Sequence, residues 1–230
     1  MKLFCFIFAR GGSKGLANKN IIDFGGIPLI SHSINLAKEI NFVDRVVVSS
    51  DSEDILSIAK DSGAQIIKRP PELSSHEAPE WLAWRHAVEQ IKQEEEFDLF
   101  LSLPATAPLR SKEDIINCLS SMDDETDIVI TVTPSSRSPY FNMVKIGEDE
   151  KTQLVINRDK FFRRQDVPTT FDITTVAYLT RPEFIMTKNS IFEGNVKSVI
   201  VPKERAVDID DEIDLIVARK LLSEKNNDKE

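Results

Sequence analysis

Two stretches of this chain carry residue types and spacings that do chemistry. The first is Ala9-Arg10-Gly11-Gly12-Ser13-Lys14-Gly15, followed by Asn18, Lys19 and Asn20, immediately after the apolar run that begins at Leu3. Glycines let backbone amides approach an anion closely, and Arg10, Lys14 and Lys19 supply charge-assisted donors to phosphate oxygens. This chemistry suits a triphosphate, with Arg10, Gly12, Ser13 and Lys14 as candidate nucleotide contacts. The spacing matches neither the Gly-Lys-Ser/Thr phosphate loop nor the dinucleotide fingerprint. A solvated basic turn is the competing reading, and a strand leading straight into three glycines and three cations weighs against it.

The second stretch is Val207-Asp208-Ile209-Asp210-Asp211-Glu212-Ile213-Asp214, at a strand-to-helix junction. In an extended segment Asp208 and Asp210 share a face and offer oxygen ligands to one hard cation, magnesium being the natural candidate. Acids also favour a helix N-terminus, where they cap and complement the dipole. That explains Asp211, Glu212 and Asp214, competes for Asp210, and explains Asp208 less well. Together the two stretches suggest nucleotide chemistry, because a triphosphate usually enters a site with magnesium bridging its phosphates.

These residues need a scaffold. Lys2 to Phe8, Arg45 to Ser50, Ala64 to Lys68, Phe97 to Leu103 and Asp127 to Thr133 read as short strands. Helical patterns lie between them: Ile30, Ile34 and Ala37 recur on one face of residues 29–40, and Ile55, Ile58 and Ala59 follow the capping candidates Asp51 and Ser52. Alternation of this kind predicts an α/β fold with a mainly parallel sheet, helices on both faces and ligands at the carboxyl ends of the strands. Residues 134–171 break the alternation and predict an inserted arm or lid. Alternation resumes at Ile173 to Leu179 and Val196 to Val201. A helix follows from Asp211 to Leu222, with Ile213, Ile216, Val217 and Lys220 on one stripe. One domain over residues 1–222 is expected, with 223–230 a frayed tail.

Composition bounds the partners. With 29 basic and 38 acidic residues the net charge is −9, which argues against general binding to nucleic acid or an anionic membrane surface. Lys2, Arg10, Lys14 and Lys19 all precede the first acid, Asp23, so the N-terminal segment is a cationic island suited to a small anion. The run Leu3 to Ala9 is too short to span a bilayer, and a cytoplasmic location is expected. Cys5 and Cys118 have no paired metal spacing and read as free thiols. His32, His76 and His86 have no nucleophile partner in sequence, and Trp81 and Trp84, three apart in a helix from Pro79 to Gln93, read as core packing.

With these motifs in order, the chain resembles the acylneuraminate cytidylyltransferases, or CMP-sialic acid synthetases. The resemblance rests on Ala-Arg-Gly-Gly-Ser-Lys-Gly with Lys19-Asn20, on Arg69-Pro70-Pro71-Glu72-Leu73, on Thr106-Ala107-Pro108-Leu109-Arg110 and on Asp208-Ile209-Asp210, and runs from residue 2 to about residue 222. It implies a Rossmann-like nucleotidyltransferase sheet and transfer of CMP from CTP to an acidic 2-keto sugar with release of pyrophosphate. It also implies Mg²⁺ on Asp208 and Asp210, and triphosphate contacts from Arg10, Lys14 and Lys19. Asn20 is implied near the nucleotide sugar and Arg69 near the nucleotide. Arg164 and Gln165 resemble a pair facing the acidic sugar, with Tyr140 and Thr174 as further candidates there, and the 134–171 arm implies a homodimer with shared sites.

The sequence also departs from the family. Where the family commonly reads Leu-Gln-Pro-Thr-Ser-Pro, this chain has Leu103-Pro104-Ala105-Thr106-Ala107-Pro108, and Thr174-Thr175 stands where Asn-Gly is common. Both changes fall near the expected sugar site. They leave open a nonulosonic acid, a 3-deoxy-octulosonate or a phosphonate as the acceptor, with a non-catalytic nucleotide-binding protein as a further rival.

Overall fold

The computed structural model describes residues 1–12, 15–75, 77–156 and 163–227. Its centre is a sheet of seven strands: β1 (Leu3–Phe8), β4 (Arg45–Ser50), β5 (Gln65–Lys68), β6 (Leu99–Ser102), β7 (Ile128–Pro134), β10 (Phe171–Thr180) and β11 (Val196–Ile200), in the order β11-β7-β10-β6-β1-β4-β5. The expected parallel pairing holds for β1 with β4 and β6, β4 with β5, and β7 with β11, whereas β10 runs antiparallel between β6 and β7. The sheet is therefore mixed and mostly parallel.

Side-chain alternation along β1 explains why helices cover both faces. Leu3, Cys5 and Ile7 point into a core with Ile30, Ile34 and Ala37 of α1 (Leu29–Lys38), Ile55 and Ala59 of α2 (Glu53–Asp61) and Ile115 and Cys118 of α4 (Lys112–Ser121). Phe4 and Phe6 point the other way, onto Trp84, Ala87, Val88 and Ile91 of α3 (Glu80–Lys92) and Ile185 of α5 (Pro182–Thr187). A strand buried on both sides carries apolar residues at every position, which is why this one reads as a continuous run. The Ser52 side chain caps α2 by accepting from Ile55 N, and Ser111 with Asp114 forms a capping box on α4. Neither α4 nor α5 stands out in the sequence by periodicity alone.

The chain leaves the main sheet after Pro134 and returns at Phe171, the limits expected for an arm. Within it β8 (Val144–Ile146) and β9 (Thr152–Leu154) form a separate two-stranded hairpin. A second small hairpin, β2 (Asp23–Phe24) with β3 (Ile27–Pro28), turns through Gly25 and Gly26 at φ of 65° and 90°, backbone angles that favour glycine.

Two expectations need correction at the C-terminus. Helix α6 runs from Glu212 to Asn227, so the segment after Leu222 continues the helix for five residues rather than fraying there. Its predicted stripe also faces outward: Ile213, Ile216 and Val217 are 71%, 60% and 44% exposed, while Leu215 and Ala218 pack on Phe24, Leu29, Leu109 and Ile209. A helix with apolar residues on more than one side does not reveal its buried face by periodicity.

Candidate active site

The carboxyl ends of β1, β5 and β6 open onto a cleft of about 480 Å³ lined by Arg10, Gly15, Lys19, Asn20, Arg69, Glu80, Thr106 and Asp210, with Phe8, Leu73, Ala78 and Ala83 among its apolar walls; the loop after β4, also expected there, contributes no lining residue among those described. Four segments far apart in sequence meet there because parallel strands deliver their following loops to one edge.

After β1 the chain bends back on itself. Asn18 adopts a left-handed backbone (φ 54°, ψ 30°), a short 3-10 turn covers Lys19–Ile21, and the buried Asn20 donates its side-chain amide to Arg10 O at 3.0 Å. Gly11 N donates to Asp51 Oδ1 at 3.0 Å, tying this loop to the end of β4. Gly15 is required by close approach, since a Cβ there would stand 2.5 Å from the carbonyl oxygen of Asp210. Ser13 and Lys14 lie outside the described residues.

The cationic island does not stay together. Lys2, at the start of β1, ion-pairs with Glu95 at the far end of the sheet, while Arg10 and Lys19 line the cleft. Six strand residues at ~3.3 Å each put roughly 20 Å between those ends.

Arg69 follows β5 and is 6% exposed. Its Nε donates to Ser74 Oγ at 2.9 Å and one terminal nitrogen to Ala9 O at 3.1 Å, with Asp51 Oδ1 at 3.9 Å. Burial lowers its pKa from the ordinary guanidinium value, and Asp51 opposes that shift.

The acidic loop before α6 is pinned from beneath. Ile209 is fully buried and donates its N–H to Thr106 O at 2.8 Å, with Asp208 and Asp210 on either side of it. Asp210 lines the cleft and accepts from Lys19 Nζ at 2.7 Å. Asp208 lies deeper, and its Oδ1 is buried with no hydrogen-bond partner. Among the described residues no cluster of three or more His, Cys, Asp or Glu side chains is assembled to hold a metal.

Below the Thr106 loop sits Arg110, 3% exposed, which donates to Ser33 Oγ at 2.7 Å, to Thr175 O at 3.3 Å and to Pro104 O. Burial lowers its pKa to about 10. At Pro104, where a glutamine is common in the resembled family, the carbonyl anchors this arginine.

Sequence reasoning missed Glu80. At the first turn of α3, it sits in the cleft wall, reachable through the mouth yet crowded by protein, which raises its carboxyl above the ordinary value; Trp84 Nε1 donates to it at 3.2 Å and Arg69 opposes the shift. An acid one helical turn before Trp84 was the available signal. Trp84 does pack in the core, and Trp81 donates its Nε1 to Lys188 O at 2.6 Å.

Of the residues expected at the acidic sugar, Thr174, Gln165 and Tyr140 do not line this cleft. Thr174 is buried at a bulge in β10, where its hydroxyl donates to Thr131 Oγ1 at 2.7 Å and Thr131 in turn binds the N–H and C=O of Ala177. The irregular register leaves backbone groups unpaired by the ladder, and these hydroxyls satisfy them. Gln165 lines a separate cavity of about 240 Å³ with Arg137, Ser138 and Thr170, sharing no lining residue with the cleft. Tyr140 belongs to the arm's first turn. The Arg164 side chain lies outside what the structure describes. Of the histidines, His32 bonds Phe24 O at 2.7 Å and packs edge-on against its ring, and His76 lies outside the described residues. Cys5 and Cys118 are buried free thiols.

No helix among the described residues is long and apolar enough to cross a membrane. The cytidylyltransferase family profile matches residues 4–220. The chain is 34% identical to post-translational flagellin modification protein B of Campylobacter coli, over 98% of this chain and 97% of that one. It is 32% identical to CMP-N,N'-diacetyllegionaminic acid synthase of Campylobacter jejuni, again over 98% and 97%. A CMP:2-keto-3-deoxy-manno-octonic acid synthetase solved with CTP superposes with a TM-score of 0.73 at 18% identity, over 98% of this chain and all of the other, which shows a shared fold. With a matching profile over nearly its whole length, a phosphate-type loop after β1 and an acidic loop before α6 converging on one cleft, this chain belongs to the cytidylyltransferase family.

Proposed function

We propose that this protein transfers CMP from CTP to a nonulosonic acid, a nine-carbon acidic 2-keto sugar of the neuraminate, legionaminate or pseudaminate type, and releases pyrophosphate. The observation that carries the reading is the convergence of Arg10, Lys19, Arg69 and Asp210 on one cleft, in a chain whose legionaminate-activating relative aligns from end to end.

In this reaction the anomeric hydroxyl oxygen attacks the α-phosphorus in line, the bond to the β-phosphate oxygen breaks, and the hydroxyl proton is lost. Arg10 and Lys19, with Lys14, neutralise the triphosphate and the departing pyrophosphate, while Asn20 and Arg69 hold the nucleoside end. Positioning and charge stabilisation supply the rate. Asp208 and Asp210 would hold Mg²⁺, and the donor set fits: a buried carboxylate oxygen without a hydrogen-bond partner stands beside a second carboxylate facing the cleft. Held there, magnesium would supply positive charge to the triphosphate and lower the cost of deprotonating the attacking hydroxyl.

Gln165 and Tyr140 do not line the cleft, and in this reading a second copy brings them, with Arg164, to the sugar on its arm. Exposed Met143, Val144, Ile146 and Val155 on the arm supply apolar surface for such a homodimer. Pyrophosphate release from CTP and Mg²⁺, with nonulosonic acids, a 3-deoxy-octulosonate and phosphonates as acceptors, tests the reading. Release with a nonulosonic acid alone supports it; release only with an octulosonate or a phosphonate, or with no acid, overturns it.

A further inference from the structure

A carboxylate lining a cleft built for anions needs a reason. Triphosphate and sugar carboxylate are both repelled by Glu80, and partial desolvation raises its carboxyl while Arg69 only partly offsets the shift. Asp210 is engaged by Lys19. Glu80 lines the same cleft as Arg69 and is attracted to it, while Asp208 repels it, and Leu73, Ala78 and Ala83 line the cleft with them. Small aliphatic side chains of this kind suit the face of a flat ring.

The chemistry of the two side chains is complementary. Arg69 is a donor only, with five N–H groups, more than its bonds to Ser74 and Ala9 consume. Glu80, ionised, is an acceptor only, and Trp84 Nε1 donates to its Oε1 and helps hold its position. A donor beside an acceptor matches a ring edge that presents acceptors beside a donor. Cytosine has such an edge, with acceptor O2 and N3 next to the exocyclic amine, whereas uracil puts an acceptor oxygen where that amine stands.

We propose that Glu80 is the residue that selects cytosine over uracil, its carboxylate accepting a hydrogen bond from the exocyclic amine while Arg69 donates to the acceptors on the same edge. A uracil nucleotide would bring its O4 against the carboxylate and leave both oxygens without a donor. Discrimination of this kind comes from leaving the mismatched pair without a hydrogen bond once the base fills the cleft. The inference rests on the reading that CTP is the nucleotide bound, and it is independent of which sugar acts as acceptor.

The test is nucleotide binding by calorimetry with no sugar present, using CTP, UTP and a 2-pyrimidinone nucleoside triphosphate that lacks the amine, on the wild-type protein and on Glu80→Gln. The wild type is expected to prefer CTP over both others. Glutamine keeps an oxygen for Trp84 and can donate to O4, so Glu80→Gln should lower the CTP:UTP preference by on the order of tenfold or more. Loss of affinity in equal proportion for CTP and UTP would overturn the proposal and point to a ribose contact. An unchanged preference in Glu80→Gln would also overturn it while leaving the CTP reading intact. A wild type that prefers CTP over UTP yet binds the pyrimidinone as tightly as CTP overturns it without any substitution. Absence of any CTP preference in the wild type would overturn both this inference and the reading beneath it.

Discussion

Lys19 Nζ donates to Asp210 Oδ1 at 2.7 Å, joining residues 191 apart in sequence across the mouth of the cleft. The lysine is 13% exposed and the aspartate 72%, so the pair contributes under about 1 kcal/mol to folding. In the proposed reaction each partner occupies the group that the other would offer, Asp210 to magnesium and Lys19 to the triphosphate.

Asp210→Ala is therefore expected to lower pyrophosphate release by on the order of 10²-fold or more, with a melting temperature close to wild type. Without divalent metal the same variant should bind CTP at least as tightly as the wild-type protein, because Lys19 is released to the phosphates. Calorimetry with and without Mg²⁺ checks both halves.

Gly15 and Gly12 should respond differently to alanine. A Cβ at Gly15 meets the Asp210 carbonyl at 2.5 Å, a backbone atom that moves only with its loop, whereas a Cβ at Gly12 meets nothing within 4 Å. Gly15→Ala should cost about 1–3 kcal/mol and displace Asp210, cutting turnover. Gly12→Ala should melt like wild type. Thermal unfolding and a turnover assay on the two variants check the contrast.

Arg110 is tied to Ser33, Pro104 and Thr175 in a buried site. Arg110→Ala leaves those acceptors without their charged donor and should destabilise the protein by about 3 kcal/mol. Arg110→Lys should recover only part of it, since one ammonium cannot span the positions reached by a planar guanidinium. Urea unfolding gives the numbers.

Glu80 predicts a pH-dependent difference in stability. Burial raises its carboxyl in the folded protein, so the native state holds the proton more tightly than the unfolded chain. The cost of ionising it in place is absent below the ordinary carboxylate range and grows as pH rises from that range through the raised value. Glu80→Gln does not titrate. Its melting temperature relative to wild type should rise from acid to neutral pH across that window, and a pH series of melts checks the sign.

Val144 and Ile146 are exposed on the arm hairpin. In the proposed homodimer, replacing both with Asp should shift sedimentation from a two-chain to a one-chain species and reduce turnover, while CTP binding in the cleft persists; a wild type that sediments as one chain overturns the homodimer.

The strands, the two motifs and the cleft edge were legible along the chain because each is written locally. Leu3–Phe8 is apolar at every position since both its faces are covered, and the loop that follows announces itself by glycine and cation. The Asp208-Ile209-Asp210 alternation likewise survives folding, with Ile209 buried between two acids.

Other features depend on contacts between segments distant in sequence. Nothing near Lys2 indicates that Glu95 will neutralise it, or that Arg10 and Lys19 alone of the described N-terminal cations reach the cleft. The outward turn of Ile213, Ile216 and Val217 follows from which side of α6 meets Phe24 and Leu29, a matter of packing rather than period. Nor does the sequence around Thr174 show the bulge that the antiparallel insertion of β10 creates, beside which its hydroxyl bonds Thr131. Glu80 carries no motif at all; it became a site residue when the chain brought α3 beside Arg69, because electrostatics and desolvation act through space and not along the chain.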